Sequence, residues 1–392
     1  MKSHWQFAQR HPFVSNAMLM AFSVVFTIVV IDLTAFYLLG LRRVGYGPER
    51  FFQYSSLLGW EHIPNSEGTW YAYKDGTRTH VRINSFGLPD SERNVEPDRP
   101  RIALIGDSTT EFWEVDEEFR GQYVLQNALE DRAEVLNFGL RGAGTDQVYI
   151  RMRQQVIHFS PDIVIYTFCI NDIGNNMVED SKPYYALDPD SDQGISLRGY
   201  PIRREIPQED SRLLGLLQHS FVLRKLKHFV IGITPHLRTN QPLEDHFELR
   251  PFKRIYDAED EKRMEVLRRI VGALAGYARG QGIRLLLVEG LYRPALDSEM
   301  RQQVVGAYGD QFDFDKVSAN LASLSAEFGI EFLSLPRLAR NRALDAKMLM
   351  HREDTMHLNR EGVKFYADAV AERISKLGWL NEAAVSYAGA GR

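Results

Sequence analysis

The chain has little cysteine, no excess of basic residues and no repeats. Cys169 is the single cysteine in 392 residues, which excludes an internal disulfide and a zinc site built on cysteine ligands. Lys and Arg number 47 against 52 Asp and Glu, so the net charge is −5 and no basic surface suited to nucleic acid is expected. The composition, 44% hydrophobic and 25% charged, is that of a globular protein.

Charge is almost missing from residues 17–41, AMLMAFSVVFTIVVIDLTAFYLLGL. As a helix, these 25 residues would reach about 37 Å, enough to cross a hydrocarbon core of about 30 Å. A cleaved signal peptide has a shorter apolar region, of about 7–15 residues, and a small-residue cleavage motif, which is missing after this run. The pattern therefore predicts an uncleaved, single-pass signal-anchor helix; a helix buried in a protein core is the alternative.

The orientation of this helix is less clearly encoded. Lys2 and Arg10 precede it, and three arginines follow within ten residues, so the positive-inside rule gives a near balance that leans slightly against an exported domain. We expect the inner (cytoplasmic) membrane, with the rest of the chain on the periplasmic side. Asp32 within the run is costly in lipid, and it either pairs with a membrane partner helix or lies near the interface.

Composition divides the chain into four parts: residues 1–43 with the tail and anchor, 44–98, 99–382, and a tail at 383–392. In the second part, apolar and polar residues alternate in TWYAY and in THVRINS, and KDGT between them is typical of a turn. This pattern predicts a small β-hairpin module after a linker. An insertion at about 174–260 carries many Pro, Asp, Ser and Gly residues, then an apolar and basic helical pattern at Ser220–Ile233. An insertion of this length is typical of a lid, a substrate-binding surface or an interaction element.

In the third part, five short apolar runs alternate with amphipathic helical patterns. The runs are RIALIG, AEVLNFG, DIVIYTFC, IRLLLVEG and IEFLSL. Short runs rich in Ile, Leu and Val that do not alternate suit parallel strands buried on both faces. The prediction is an α/β protein: a flavodoxin-like, three-layer α/β/α open parallel sheet.

Reactive residue types follow these strands, where α/β sheets form their ligand sites. They are Asp107 and Ser108 after the first strand, Gly142 after the second, Asn171 and Asp172 after the third, and Asp354 and His357 before the last helix. Each pattern alone has an ordinary structural interpretation. Gly-Asp-Ser forms many strand-to-helix turns with the aspartate as cap, and most surface histidines have no catalytic role.

Together, these residues can perform acyl transfer through a serine. A serine hydroxyl needs an adjacent base, which His357 can supply, and a carboxylate such as Asp354 can hold the histidine tautomer. The tetrahedral oxyanion needs fixed donors, each contributing about 2.7–4 kcal/mol. The Ser108 and Gly142 amides and the Asn171 side chain are the candidates. The stretch HREDTMH supplies no third ligand at a suitable spacing, so neither a metal nor a cofactor is expected.

The four blocks, in this order, resemble those of the SGNH hydrolases, also called the GDSL esterase/lipase superfamily. The resemblance covers about Arg101 to Trp379, and the anchor and hairpin are similar to membrane-tethered bacterial members. It implies Ser108 as nucleophile, His357 and Asp354 as base and partner, and Ser108, Gly142 and Asn171 as oxyanion donors. Asp107 and Asp172 would support them. The third block departs from the usual G-x-N-D, because Cys169 replaces the glycine.

The resemblance implies a membrane-tethered serine esterase that hydrolyses O-acyl esters, first of all O-acetyl esters, on a cell-envelope or exported polysaccharide. An O-acetyltransferase would use the same residues on the same glycan. A lysophospholipase-like lipid esterase and an inactive glycan-binding scaffold are further alternatives. The expected partners are an acylated carbohydrate or lipid substrate and the membrane.

Overall fold

The computed structural model describes residues 12–38, 51–71, 78–179, 181–202, 222, 248–352 and 354–390. It divides into two compact units. The first comprises residues 1–47 and 205–238, and the second comprises residues 48–204 and 239–392. The predicted helix at Ser220–Ile233 lies outside the described residues, apart from Val222.

A five-stranded parallel sheet forms the centre of the second unit. Its strands are β5 (Arg101–Gly106), β6 (Glu134–Gly139), β7 (Ile163–Phe168), β10 (Arg284–Glu289) and β11 (Glu331–Ser334). They lie in the order β11-β10-β7-β5-β6, and every neighbouring pair is parallel. This is the flavodoxin-like strand order, which places ligand sites beyond the carboxyl ends of the strands. All five predicted strands and the parallel sheet are confirmed.

Helices cover both faces of this sheet. The described helices of the second unit are α2 (Ser108–Glu111), α3 (Gly121–Ala128), α4 (Thr145–Gln154), α5 (Asp172–Asn175), α6 (Ala258–Gly280), α7 (Arg293–Leu296), α8 (Ser298–Tyr308), α9 (Lys316–Phe328), α10 (Leu335–Asn341), α11 (Ala346–Leu349), α12 (Arg360–Leu377) and α13 (Trp379–Ala390). On one face, α3 packs against α12 over alternate residues of the strands, among them Ile102 and Leu104. On the other face, α4 packs against α6, and α6 against α9.

Two antiparallel strand pairs precede the sheet. One joins β1 (Phe52–Ser55) to β2 (Gly59–His62), and the other joins β3 (Glu67–Tyr71) to β4 (Arg78–Arg82). We call residues 51–71 and 78–90 the N-terminal β-module. The second pair is the predicted hairpin, and its turn lies outside the described residues. We call the five-stranded sheet with the helices that cover it the sheet domain. Trp113, which follows α2 of the sheet domain, is fully buried among Phe51, Val81 and Ile83 of the N-terminal β-module.

The insertion contains a third antiparallel pair, β8 (Tyr184–Leu187) with β9 (Ile195–Arg198). In the first unit, helix α1 spans Pro12–Leu38, and the Asp32 carboxylate accepts a hydrogen bond from the backbone N–H of Val222 at 3.0 Å. Among the residues that the structure describes, no helix has the length and hydropathy expected of a membrane span.

Candidate active site

Ser108, His357 and Asp354 form one hydrogen-bonded chain, although 249 residues separate the serine from the histidine. His357 Nε2 lies 2.9 Å from Ser108 Oγ, and His357 Nδ1 lies 2.9 Å from Asp354 Oδ2. With Nδ1–H donating to the carboxylate, Nε2 is left as the acceptor for the serine proton. This is the geometry by which a base activates a serine hydroxyl.

The loop before α12 fixes the aspartate. Asp354 Oδ1 accepts the backbone N–H groups of Met356 and His357 at 2.9 and 3.1 Å, so the carboxylate is held on both oxygens. The His357 side chain is 15% exposed. Burial opposes protonation of the ring, but the carboxylates of Glu114 and Asp354 outweigh it and raise the pKa of His357 above its ordinary value.

Ser108 begins helix α2 directly after β5. A Cβ at Gly106 would lie 2.8 Å from the backbone oxygen of Thr167, so glycine is needed where β5 passes this neighbour. Asp107 caps the helix, and its Oδ1 accepts the Thr109 backbone N–H at 2.9 Å. The turn therefore has the structural form expected of Gly-Asp-Ser, and it also presents the serine to His357.

The Asn171 side chain is tied to the serine turn. Asn171 Nδ2 donates to Asp107 Oδ2 at 3.0 Å, which leaves its second amide proton for another acceptor. Asp172 is fully buried and accepts the Tyr166 hydroxyl at 2.7 Å and the Cys169 backbone N–H at 3.2 Å. Asp107 and Asp172 thus hold Asn171, Tyr166 and the Cys169 backbone in position around the serine turn.

Gly142 lies in a β-turn that follows β6. Ala143 N–H donates to Leu140 O at 3.0 Å, and Gly142 has φ +74°, a conformation that favours glycine. Asn175 Nδ2 donates to Gly142 O at 3.2 Å. Within the described part of the chain, the backbone N–H groups of Ser108 and Gly142 have no acceptor, as donors reserved for a substrate oxygen would.

Cys169 is a buried structural residue. Its Sγ lies 3.7 Å from Met356 Sδ, and burial raises the pKa of its thiol well above the ordinary value. A protonated, buried thiol is a poor nucleophile, so the departure from the glycine of the third block adds no second reactive group.

Sequence reasoning missed a charged cluster beside the serine and histidine. Arg141 Nη2 lies 2.8 Å from Glu114 Oε1, and Arg141 Nε lies 3.1 Å from Glu111 Oε2. Glu114 Oε1 is in turn 3.9 Å from His357 Nε2. The sequence did contain a signal for this cluster: STTEFWE places two glutamates directly after the serine, in a segment expected to be buried. Charged residues are rarely fully buried without a partner, so a nearby cation could have been predicted.

The Glu114 carboxylate is ionised despite its burial. Burial alone would raise its pKa, but the Arg141 guanidinium and His357 hold the pKa of Glu114 below its usual value. The histidine therefore faces two carboxylates, Asp354 at Nδ1 and Glu114 near Nε2. This arrangement favours the protonated form of the His357 ring.

Comparison with known proteins gives one match in sequence and several in structure. The model of the GDSL-like Lipase/Acylhydrolase family matches residues 104–365. No curated protein matches the sequence. Est24, a carbohydrate acetylesterase from Sinorhizobium meliloti, is 14% identical with a TM-score of 0.38 over 71% of this chain and 100% of its own.

Two further solved structures have similar sequence identities, TM-scores and coverages. The lipase/acylhydrolase from Enterococcus faecalis is 12% identical with a TM-score of 0.39, over 71% of this chain and 96% of its own. A catalytic mutant of Axe2, an acetylxylan esterase from Geobacillus stearothermophilus, is 12% identical with a TM-score of 0.39, over 70% of this chain and 94% of its own.

The family match covers more than half of the 392-residue chain. It includes Ser108, Gly142, Asn171, Asp354 and His357, the residues whose geometry is described above. The chain therefore belongs to the GDSL-like lipase/acylhydrolase family, within the SGNH hydrolase superfamily, and is a hydrolase of ester bonds.

Proposed function

We propose that this protein is a membrane-tethered serine esterase that removes O-acyl groups, first of all O-acetyl groups, from a cell-envelope or exported polysaccharide. The observation that carries the proposal is the hydrogen-bonded chain from Ser108 Oγ through His357 to Asp354. The two backbone amides without acceptors beside it support the same chemistry.

The reaction proceeds in two acyl-transfer steps. Ser108 Oγ attacks the ester carbonyl carbon while His357 Nε2 takes its proton, and the carbonyl oxygen becomes an oxyanion. The Ser108 and Gly142 amides and Asn171 Nδ2 donate to that oxyanion. The tetrahedral intermediate collapses, the sugar hydroxyl leaves with the proton from His357, and an acyl-enzyme remains. Water, deprotonated by His357, then releases the carboxylic acid and restores Ser108.

The charges around the triad favour an uncharged acyl sugar over an anionic lipid. Glu114 and Asp354 lie beside His357, and Arg141 is the cation paired with Glu114 and with the buried Glu111. This excess of negative charge would repel a phosphate close to the scissile ester. The polar environment therefore supports the glycan substrate class.

The membrane part of the proposal rests on residues 17–41 and on the exposure of α1. Several large apolar side chains of α1 are exposed, among them Leu19, Met20 and Phe22 at 64, 69 and 68%. Such surface is expected in contact with lipid or protein. The hydrogen bond from the Val222 N–H to Asp32 reduces the cost of a carboxylate in an apolar environment. We place the sheet domain on the periplasmic side of the inner membrane.

Hydrolysis by the full-length protein in detergent tests the chemistry. We expect Ser108-dependent release from p-nitrophenyl acetate and from an acetylated neutral glycan, with lower rates for octanoyl esters and lysophospholipids. The matched control is Ser108→Ala, which keeps the fold and loses the nucleophile. If wild type and Ser108→Ala release acetate equally, the esterase proposal is wrong. Transfer of the acetyl group to an added glycan at the expense of hydrolysis would instead indicate a transferase.

Location is tested separately. Membrane fractionation of full-length protein should place it with the inner membrane, and alkaline phosphatase fused to its C-terminus should be active, because that enzyme requires periplasmic oxidation. An inactive fusion with an intact chain would contradict the periplasmic placement. Recovery of the full-length chain in the soluble fraction would contradict the membrane anchor.

A further inference from the structure

The orientation of one peptide group decides whether Gly142 can act as an oxyanion donor. That group joins Arg141 to Gly142 and is the central peptide of the turn closed by Ala143 N–H and Leu140 O. With φ +74° at Gly142, the turn is of type II. Rotation of this peptide by half a turn would give a type I turn, which a glycine also tolerates. The Arg141 carbonyl oxygen would then point where the N–H group now points.

A tryptophan outside the family-matched segment holds this peptide. Trp60 Nε1 donates a hydrogen bond to Arg141 O at 2.9 Å. In a trans peptide, the C=O and N–H bonds point in opposite directions. A bond that fixes the Arg141 carbonyl toward Trp60 therefore directs the Gly142 N–H away from Trp60. The ring also lies against the turn, because a Cβ on Gly142 would be 3.5 Å from Trp60 Cζ2.

The position of Trp60 is fixed in its turn by the N-terminal β-module. Trp60 lies in β2 and pairs with Tyr54 of β1. Two residues further along β2, the buried His62 lies 2.9 Å from Glu111 Oε1, which also accepts the Arg141 backbone N–H at 2.6 Å. Strand β2 thus supports both sides of Arg141, its carbonyl directly and its N–H through Glu111.

We propose that Trp60 is a positioning residue for the oxyanion hole, whose indole N–H selects the turn conformation that presents the Gly142 amide to the substrate. The inference rests on the proposed function, since Gly142 matters only if Ser108 forms a tetrahedral intermediate. It makes the N-terminal β-module part of the active site, although the family match begins at residue 104.

Replacement of the indole donor tests the inference, with ester hydrolysis by the full-length protein in detergent as the readout. In Trp60→Phe, the Arg141 carbonyl loses its donor and the turn can populate both forms. A neutral hydrogen bond of this kind changes the ratio of the two turn forms about tenfold. We therefore expect kcat for p-nitrophenyl acetate to fall about twofold to tenfold, the larger value applying when the rotated form predominates without the donor. KM should stay within about twofold, because the donor acts on the transition state.

Trp70→Phe is the matched control. Trp70 is another half-buried tryptophan of the module, but its indole N–H has no hydrogen-bond partner among the described residues. The Trp70 ring lies over the Arg141 guanidinium, with Cζ 4.5 Å from the ring centroid, and phenylalanine keeps an aromatic face there. The same change of side chain therefore removes no hydrogen bond beside the same arginine, and kcat should stay at the wild-type value. Equal kcat values for Trp60→Phe and Trp70→Phe, or a loss seen in KM alone, would overturn the inference.

Two further measurements separate this result from other failures. Benzothienylalanine at position 60 keeps the ring shape and lacks only the N–H, so it tests the donor even if Trp60→Phe misfolds. Its kcat should fall as expected for Trp60→Phe, and a wild-type kcat would overturn the inference. If the proposed function itself is wrong, the result differs: the wild-type protein hydrolyses p-nitrophenyl acetate no faster than Ser108→Ala does.

Discussion

Ser108 and Gly142 follow adjacent strands of the sheet, yet different parts of the chain hold them in place. The serine turn is fixed from within the family-matched segment, by the Asp107 cap and by Asn171. In the Gly142 turn, Asn175 binds the Gly142 carbonyl from within the segment, but the peptide that carries the Gly142 N–H is held from outside it, by Trp60 and, through Glu111, by His62. The proposed nucleophile is thus positioned by the sheet domain itself, whereas one proposed oxyanion donor is positioned by an added module.

The difference shows how one fold can carry additional elements that affect its chemistry. A strand end places a reactive group, but the orientation of a loop peptide needs a partner that the loop does not supply. In this protein the partner comes from strands that precede the sheet domain. Four substitutions test the contrast between residues held by the sheet domain and residues held by the N-terminal β-module. They are given in order of decreasing expected effect.

Asp354→Asn tests the triad, which is the part held from within the sheet domain. Asparagine can present its NH2 group to His357 Nδ1 and favour the wrong tautomer, so we expect kcat to fall about 10⁴-fold. Steady-state hydrolysis of p-nitrophenyl acetate measures it. Asp345→Asn is the control, since Asp345 caps α11 through Met348 N–H and asparagine caps nearly as well. Full activity in Asp354→Asn would contradict its assigned role.

Asn171→Ala removes the oxyanion donor that is tied to the sheet domain. Loss of one such donor lowers kcat about 10²–10³-fold, and KM should change little. The Asp107 carboxylate also loses a partner, so thermal unfolding must be followed beside the kinetics. A rise in KM with unchanged kcat would show that Asn171 binds substrate without stabilising the oxyanion.

Gly142→Ala disturbs the donor held by the N-terminal β-module. An alanine at φ +74° is strained, and its Cβ would contact Trp60, so the turn should favour its other form. We expect kcat to fall about tenfold to a hundredfold. Gly282→Ala is the matched control, with φ +72° and no atom within 4 Å of its Cβ. Both variants should lose about 1–2 kcal/mol of stability, and only Gly142→Ala should lose activity.

The sheet and the meeting of Ser108, His357 and Asp354 were predictable because their signals are local or ordered along the chain. RIALIG and DIVIYTFC are apolar throughout, which indicates strands covered on both faces. Ser108, Asp354 and His357 stand at strand ends or before the last helix, where such groups converge. Trp60 and Arg141 gave no comparable signal, because their contact joins positions 81 residues apart and depends on the direction of one carbonyl. Neither periodicity nor spacing encodes that direction.

Glu114→Gln tests the residue that connects the Gly142 turn to the candidate triad, since Glu114 contacts both Arg141 and His357. The base must be neutral to accept the Ser108 proton, so activity is lost as the pH falls through the pKa of His357. Glu114 and Asp354 raise that pKa, and removal of the Glu114 charge should lower it. The acid limb of the kcat/KM profile should therefore move to lower pH, while the plateau changes less than about tenfold.

Glu117→Gln is the control, because Glu117 pairs with Arg82 and His80 instead of His357. The acid limb of this variant should stay where it is in the wild type. An unchanged acid limb in Glu114→Gln would mean that its carboxylate does not act on the catalytic histidine.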